Sequence, residues 1–272
     1  MSLPRSHLYV PGNDVERLDK SLGRGADAII VDLEDAIALD KKDEARALVK
    51  DWLPTVSTSV EIWVRINNTE GMKDLDVEAI KHPAVTGIVL AKTGSIKDVE
   101  WLDKKLTGTG IQISALIESA EGVFNAQAIA KGPRITRLQI GEADLRSEIG
   151  SSTDDETTIQ FARSVAVFAS AAAKINPPVA AVSTNFKDLD AYRASTIQFK
   201  MWGYFGRTCI HPAQLEIANK IFTPTADEMA AAQDTIDRLA AAGGGVGLDA
   251  RGQMIDEAVA KIARQTLSFK KN

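Results

Sequence analysis

Short apolar runs rich in β-branched residues alternate with helical patterns along most of this sequence, and no other feature constrains the fold as strongly. We count eight such runs, over residues 7–10, 28–33, 61–67, 87–92, 111–118, 137–141, 179–184 and 207–211. Strands that alternate with helices are expected to be parallel, because parallel neighbours require a crossover connection. The sequence therefore predicts an α/β fold closed as a TIM, or (β/α)8, barrel. A doubly wound open sheet is the alternative.

The chain beyond the eighth unit has a different character. Residues 225–242 form an alanine-rich helical pattern, residues 243–247 are rich in glycine, and residues 257–267 form a last helical pattern. The glycine cluster has no strand before it, as a nucleotide-binding loop would, so we interpret it as a flexible hinge. We predict a barrel over residues 1–222 and a C-terminal helical extension over residues 223–272.

Composition excludes several classes of function. The 32 basic and 37 acidic residues give a net charge of −5, which argues against a nucleic-acid surface and against binding to anionic membranes. The single cysteine, Cys209, excludes a disulfide framework, and three scattered histidines do not have the spacing of a zinc site. The sequence has neither a signal-peptide pattern nor a membrane-spanning run, so we expect a cytoplasmic protein.

Charged residues lie where the predicted strands end. Side chains alternate between the two faces of a strand, and this alternation turns Asp32, Glu34, Arg65 and Glu118 toward the barrel axis. Further charged or titratable residues follow strand ends at Asp35, Lys92, Asp144 and His211. Barrel enzymes carry their active sites at this end of the strands.

Any one of these acids could instead cap a helix or lie in solvent. Together, however, Glu34, Glu118 and Asp144 would place like charges close to one another in a confined mouth, beside Arg65 and Lys92. That arrangement is unfavourable unless a cation or the basic groups compensate it. Mg²⁺ prefers oxygen ligands from a few carboxylates together with water. We therefore predict a divalent cation held by two of these carboxylates.

Two further residues are ambiguous at this level. His211 precedes a proline at a strand end, where it is as suited to bracing a loop as to transferring protons. Asp256 lies outside the barrel and, taken alone, reads as the cap of the last helix.

Seven short stretches, in order over nearly the whole chain, resemble the citrate lyase β-subunit-like branch of the HpcH/HpaI aldolase superfamily. They are Arg-Ser-His-Leu-Tyr-Val-Pro-Gly at 5–12, Asp-Leu-Glu-Asp-Ala at 32–36, Val-Arg-Ile-Asn at 64–67, Ala-Leu-Ile-Glu-Ser at 115–119, the turn at 141–144, Cys-Ile-His-Pro-Ala-Gln at 209–214 and Met-Ile-Asp at 254–256. The family has a TIM barrel, and its members include the citryl-CoA lyase subunit and lyases of malyl-CoA and citramalyl-CoA.

The resemblance implies a role for each matching residue. Glu118 and Asp144 would ligate Mg²⁺, which also holds a 2-oxo acid. Arg65 would face the substrate carbonyl and the developing enolate, and with Glu118 and Lys92 it would bind the substrate. Glu34 and Asp35 would form an acidic pair that supports the arginine and the water shell of the metal.

The resemblance also implies an assembly. The aspartate that matches Asp256 enters the active site of a neighbouring subunit in related lyases and exchanges a proton with the acetyl-CoA methyl group. We accordingly expect a homotrimer or another homo-oligomer, with the C-terminal extension packed on a neighbouring subunit.

The sequence departs from the family pattern around the substrate mouth. Ala180 and Ala181 replace a usual Asp-Gly pair, Asn185 replaces an aspartate, and Ala91 replaces a proline. Three functions stay open on this basis. The chain is a self-sufficient acyl-CoA lyase, a subunit that acts only with an acyl-carrier partner, or a CoA-independent hydroxy-oxo-acid aldolase. A thioesterase step after condensation also stays open, as do the identities of the acyl group and the 2-oxo acid.

Overall fold

The computed structural model describes residues 3–152 and 155–268, and its larger part contains one parallel sheet of seven strands. The strands are β1 (Ser6–Pro11), β2 (Ala28–Asp32), β3 (Glu61–Ile66), β4 (Gly87–Leu90), β5 (Gln112–Ile117), β6 (Ile135–Ile140) and β7 (Arg207–Cys209). Their order across the sheet is β6-β5-β4-β3-β2-β1-β7, and every neighbouring pair is parallel. The predicted α/β class with parallel strands is confirmed.

Helices follow the strands as the alternation predicts. They are α1 (Val15–Leu22), α2 (Lys42–Trp52), α3 (Lys73–Ile80), α4 (Ile96–Lys105), α5 (Ala120–Ala130), α6 (Glu142–Ile149), α7 (Glu156–Ala173), α8 (Leu189–Met201) and α9 (Leu215–Phe222). Side-chain oxygens of Asp14, Ser119 and Asp188 accept backbone N–H bonds at the starts of α1, α5 and α8, which fixes where these helices begin. Within the described residues, no helix has both the length and the apolar composition needed to cross a bilayer.

The closed eight-stranded barrel is not confirmed, because the sheet is open between β6 and β7. The run predicted at 179–184 forms no strand. Only Val179 and Ala180 pair there, through single bridges to Gln139 on β6 and Arg207 on β7. Two prolines directly precede Val179, and proline has no N–H to donate to a ladder. The prolines therefore end the ladder on the N-terminal side of Val179, and residues 181–184 form no bridge.

The two faces of the sheet have different roles. The face predicted to point outward is fully buried and apolar, as at Ile29, Val31 and Val64. The inner face carries a cluster of Ala28, Ile30, Trp63, Val89 and Leu116 with Tyr9 against it. This inner face continues toward the C-terminal strand ends with Asp32 opposite Arg65, so the polar residues begin where the apolar cluster stops.

The chain divides into two compact units, Pro4–Asn219 and the described residues from Lys220 on together with Leu3. The second unit contains α10 (Ala226–Ala241), an antiparallel pair of short strands, β8 (Gly247–Leu248) and β9 (Met254–Ile255), and α11 (Glu257–Ser268). Leu239, Ile255 and Ala260 form its core. The pairing of β8 with β9 was not predicted, since the glycine-rich stretch reads as a hinge. The domain boundary at residue 222 stays a prediction.

Candidate active site

A cavity of about 870 Å³ lies at the C-terminal ends of the strands in the Pro4–Asn219 unit. Asp35, Arg65, Glu118 and Asp144 line it. Glu34 and Lys92, the other predicted site residues of this unit, contact those side chains directly. The strand-end argument therefore brought six of the seven predicted residues to one place, while Asp256 belongs to the second unit.

Arg65 is held by a forked ion pair with Asp32. Its Nε donates to Asp32 Oδ1 at 2.8 Å and its Nη2 to Oδ2 at 2.5 Å, while Nη1 lies 3.2 Å from Glu34 Oε2. The guanidinium also lies 5.0 Å from the centre of the Tyr9 ring. Burial disfavours the charged form, but the bonds to Asp32 outweigh it and raise the pKa of Arg65 above its ordinary value. Arg65 is thus a fixed cation facing the cavity.

Glu34 and Asp35 share the ammonium of Lys92. Lys92 Nζ lies 2.5 Å from Glu34 Oε1, 3.4 Å from Asp35 Oδ1 and 3.8 Å from Asp144 Oδ2. Burial raises the pKa of Glu34. Burial acts in the same direction on Asp35, but its interaction with Glu34 and the positive charges of Lys92 and Arg65 lower the pKa of Asp35 overall. Partial burial opposes the charge on Lys92, yet its bond to Glu34 keeps the pKa of Lys92 raised.

A buried lysine fixes the backbone that carries this acidic pair. Lys42 Nζ donates to the carbonyl oxygens of Leu33 at 2.8 Å and Glu34 at 2.5 Å, and to Asn67 Oδ1 at 3.1 Å. The Asn67 amide in turn donates to Leu33 O and to Asp76. These bonds join the turn after β2 to the end of β3, so the acids and Arg65 are placed relative to one another by buried groups.

Glu118 is the buried carboxylate of the site. Glu118 directly follows β5 in the chain, and its Oε1 accepts a hydrogen bond from the backbone N–H of Lys92 at 2.7 Å. In the part of the chain that the structure describes, no side-chain nitrogen of a lysine, arginine or histidine lies within 4.0 Å of this carboxylate. Burial, together with the charges of Glu34 and Asp144, raises the pKa of Glu118 to about 7, against the lowering effects of the Lys92 amide and the Arg65 charge. Glu118 therefore has no direct ion-pair partner among the described residues, and the side chains of Arg65 and Lys92 act on it only through their more distant charges.

The carboxylates of Glu118 and Asp144 fit a hard divalent cation. Both line the cavity, and Asp144 lies half-exposed in the first turn of α6. Within residues 3–152 and 155–268, no group of three His, Cys, Asp or Glu side chains is arranged to enclose a metal ion. A cation here would be bound by two carboxylates, with water or substrate oxygens completing its shell, as Mg²⁺ commonly is.

Gly141 makes room for the Glu118 side chain. A Cβ at position 141 would lie 2.7 Å from Glu118 Cβ and closer still to Oε2, which no real side chain tolerates. We expect Gly141→Ala to displace Glu118, to weaken Mg²⁺ binding by about tenfold or more and to lower Tm, because overpacking a buried site is destabilising. Isothermal titration calorimetry and thermal unfolding measure both effects.

Gly110 provides the matched control for this substitution. A Cβ at Gly110 meets no atom within 4 Å, so Gly110→Ala should leave both Mg²⁺ affinity and Tm unchanged. Wild-type Mg²⁺ affinity in Gly141→Ala would contradict the placement of Glu118 as a ligand.

The two ambiguous residues both act as caps. His211 Nδ1 accepts the N–H of Ala213 at 3.2 Å, and its ring stacks on Phe186 with centroids 5.0 Å apart, so it braces a loop. Asp256 Oδ1 accepts the N–H groups of Ala258 at 2.9 Å and Val259 at 3.1 Å, and it starts α11. This is the cap expected of Asp256 from the sequence alone.

The sequence interpretation gave no role to two residues that hold Arg65. The alternation places Asp32 on the inner face without naming it as the partner of Arg65, and Tyr9 appears only within the first family motif, without a role. The signal for Asp32 was present in the alternation, which turns it to the same side as Arg65 on the neighbouring strand. The Tyr9 contact depends on the β1–β2–β3 packing and has no local signal.

The departures from the family pattern fall on buried backbone and on the cavity wall. Ala91 and Ala180 are fully buried, and Ala181 lines the cavity. Unlike proline, Ala91 keeps an N–H, which donates to Ile66 O at 3.4 Å. Asn185 is exposed on the loop that follows. The cavity wall at Ala181 is therefore uncharged.

Comparison with known proteins agrees with this geometry. The sequence model of the HpcH/HpaI aldolase/citrate lyase family matches residues 5–212 of the chain. The chain belongs to this family. This HpcH/HpaI family member is 36% identical to a (3S)-malyl-CoA thioesterase of Cereibacter sphaeroides, over 97% of this chain and 93% of that protein. It is 33% identical to the citrate lyase subunit beta of Leuconostoc mesenteroides, over 98% of this chain and 93% of the relative.

A solved structure resembles this HpcH/HpaI family member over its full length. It is CitE from Mycobacterium tuberculosis in complex with magnesium, acetoacetate and coenzyme A, with a TM-score of 0.83 at 26% identity over 99% of each chain. The family resemblance expected from the seven motifs is confirmed.

Proposed function

We propose that this HpcH/HpaI family member is a Mg²⁺-dependent carbon–carbon lyase acting on a 3-hydroxyacyl-CoA such as citryl-, malyl- or citramalyl-CoA. It would cleave this thioester to a 2-oxo acid and acetyl-CoA or another short acyl-CoA, or form it in the reverse direction. The observation that carries the proposal is the buried Glu118 carboxylate, which has no ion-pair partner among the described residues and lines the same cavity as the fixed cation Arg65. Lyases among the family's members, and the magnesium and coenzyme A in the CitE structure, support it.

Glu118 and Asp144 would hold the metal. When bound, Mg²⁺ would act as a Lewis acid toward the substrate oxygen that gains negative charge. Because the pKa of Glu118 is raised to about 7 without a cation, binding of one relieves an unfavourable burial.

Arg65 would stabilise the negative charge that develops during cleavage. The bonds to Asp32 hold the guanidinium in place before the reaction, which is the condition for efficient electrostatic stabilisation. In the cleavage direction, the substrate hydroxyl loses its proton to a base, and the carbon–carbon bond breaks. The hydroxyl-bearing carbon becomes the carbonyl of the 2-oxo acid, and the bonding electrons pass to the thioester enolate. Protonation of the enolate carbon completes the reaction.

Asp256 is our proposed source of that proton, supplied by a neighbouring subunit of a homotrimer or another homo-oligomer. If so, Asp256→Asn and Arg65→Lys should each be nearly inactive, and a mixture of the two refolded together should regain activity through sites that combine intact residues. Native mass spectrometry would confirm that the refolded oligomers contain both variants. If such oligomers regain no activity, the shared site is contradicted.

The similarity to (3S)-malyl-CoA thioesterases favours a second activity, hydrolysis of the thioester. The similarity to a citrate lyase subunit beta supports a third arrangement, in which the chain acts only with an acyl-carrier partner.

Product analysis tests the three alternatives. Purified protein is incubated with citryl-, malyl- and citramalyl-CoA in Mg²⁺ or in chelator, and acyl-CoA, free CoA and 2-oxo acid are quantified. Mg²⁺-dependent release of equal amounts of acyl-CoA and 2-oxo acid supports the lyase. Free CoA with an intact hydroxy acid supports the thioesterase. No turnover by folded, Mg²⁺-binding protein contradicts the self-sufficient lyase and favours the partner-dependent subunit.

We further propose that the sheet closes as an eight-stranded barrel. Val179 N–H donates to Leu138 O at 3.0 Å, and Ala180 N–H donates to Gly206 O at 3.0 Å, so this segment bonds toward both sheet edges. A crystal structure with a regular strand here would support closure, and one with the two edges separated would contradict it.

A further inference from the structure

Lys92 has a backbone conformation that is unfavourable for any residue with a side chain. Its φ is 47°, in the left-handed region that glycine normally occupies. The next residue, fully buried Thr93, fixes the turn, because its N–H donates to Leu116 O at 3.0 Å and its hydroxyl donates to Leu90 O at 2.7 Å. Strain of this kind persists only where the surroundings enforce it, and it is concentrated at functional sites.

The left-handed turn lets one residue reach both proposed metal ligands by different groups. The backbone N–H of Lys92 donates to Glu118 Oε1 at 2.7 Å. Its side chain turns to the other side of the site, where Nζ contacts Glu34 at 2.5 Å and lies 3.8 Å from Asp144 Oδ2. A glycine would relieve the backbone strain but would remove the ammonium.

We propose that Lys92 is a built-in counter-cation that limits the affinity of the site for Mg²⁺. Its amide orients Glu118 for the metal, and its ammonium already neutralises part of the negative charge of Glu34, Asp35 and Asp144. An arriving divalent cation must share that charge with the ammonium. This inference rests on the proposed function, since it takes Glu118 and Asp144 as the ligands.

The direction of the effect follows from charge. Removing the ammonium leaves the carboxylates more negative and removes repulsion toward an incoming cation, so Mg²⁺ should bind more tightly. If Lys92 had a purely structural role, its removal would instead weaken Mg²⁺ binding, because the carboxylate ligands would become disordered. About half of the Lys92 side chain is exposed, so solvent screens its charge, and we expect a change of about tenfold in Mg²⁺ affinity.

The test is calorimetric titration of metal-free protein with MgCl₂, without any substrate. Lys92→Met should bind Mg²⁺ about tenfold more tightly than wild type, and the difference should shrink as ionic strength rises. Lys92→Arg, which keeps the charge, should resemble wild type more closely than Lys92→Met does. Lys92→Gly removes the ammonium and also relieves the backbone strain, so it should bind Mg²⁺ more tightly too. It serves as the second variant in case Lys92→Met does not fold.

The control is Lys104→Met in the last turn of α4, which runs back toward the opposite end of the strands. It should leave Mg²⁺ affinity unchanged. Equal or weaker Mg²⁺ binding by folded Lys92→Met and Lys92→Gly overturns this inference but leaves the proposed function intact. Absence of Mg²⁺ binding by the wild-type protein overturns the proposed function itself, and the inference with it.

Discussion

Glu118→Gln is expected to abolish measurable Mg²⁺ binding and to lower kcat/KM for the cleaved thioester by about a thousandfold or more. Glutamine keeps the size of the side chain and its acceptor oxygen for the Lys92 amide, but it removes the charge that binds the cation. Calorimetry with MgCl₂ and a steady-state cleavage assay measure the two effects. The fold should be retained, because a buried carboxylate without an ion-pair partner is replaced by a neutral group.

The same residue gives Mg²⁺ binding its expected pH dependence. Burial raises the pKa of Glu118 to about 7, and a metal ligand must lose its proton. Wild-type Mg²⁺ affinity should therefore rise by about tenfold per pH unit below pH 7 and level off above it.

Glu121→Gln is the matched control, since Glu121 is exposed in the first turn of α5, three residues after Glu118. It should change neither Mg²⁺ affinity nor its pH profile. Wild-type Mg²⁺ affinity in Glu118→Gln would show that the cation binds elsewhere.

Arg65→Lys is the second substitution with a large expected effect, a loss of about a thousandfold in kcat for cleavage. Lysine keeps the positive charge, but a single ammonium cannot make the two parallel bonds that join Arg65 to Asp32. The charge would be free to move, and the stabilisation of the developing enolate depends on its being fixed. Mg²⁺ affinity should change little, so calorimetry and kinetics together separate this residue from the ligands.

Arg5→Lys provides a control with the same chemistry at the other end of the strands. Arg5 Nε and Nη2 donate to the two oxygens of Asp27 at 2.6 and 2.8 Å, beside the start of β1. Both variants should lower Tm, because each loses a forked ion pair, but only Arg65→Lys should lose activity. Equal kcat in the two variants would exclude Arg65 from the reaction.

The strands of the sheet could be predicted because each is a short β-branched run, and the positions of the helices followed from their apolar spacing and caps. Seven of the eight predicted strands form. The remaining one, the seventh in chain order, has an equally apolar sequence, Val-Ala-Ala-Val at 179–182, yet pairs at only two residues. Apolar character shows that a segment is buried, whereas ladder pairing depends on how the segment lies against its neighbours.

Helix α6 was missed because the stretch from Gly141 to Asp144 reads as a turn. Its limits are glycines, Gly141 at the start and Gly150 in left-handed conformation at the end, and its eight residues include only a few apolar ones. Short polar helices carry little periodic signal.

The candidate site was predictable as a collection of residues but not as an arrangement. Position at the strand ends was sufficient to group Glu34, Arg65 and Glu118. The role of each residue depends on its contacts, such as the forked ion pair between Arg65 and Asp32, and on the left-handed turn at Lys92. Lysine is among the last residues that a sequence interpretation would place at a positive φ.

The position of β1 in the sheet has a consequence for synthesis of the chain. β1 pairs with β2, which follows it directly, and also with β7, where Ser6 meets Arg207. On the ribosome, one edge of β1 therefore stays without its partner until nearly all of the larger unit has emerged. During that interval its backbone N–H and C=O groups are open to pairing with other chains. Pairing between nascent chains during rapid expression is therefore expected at this edge of β1.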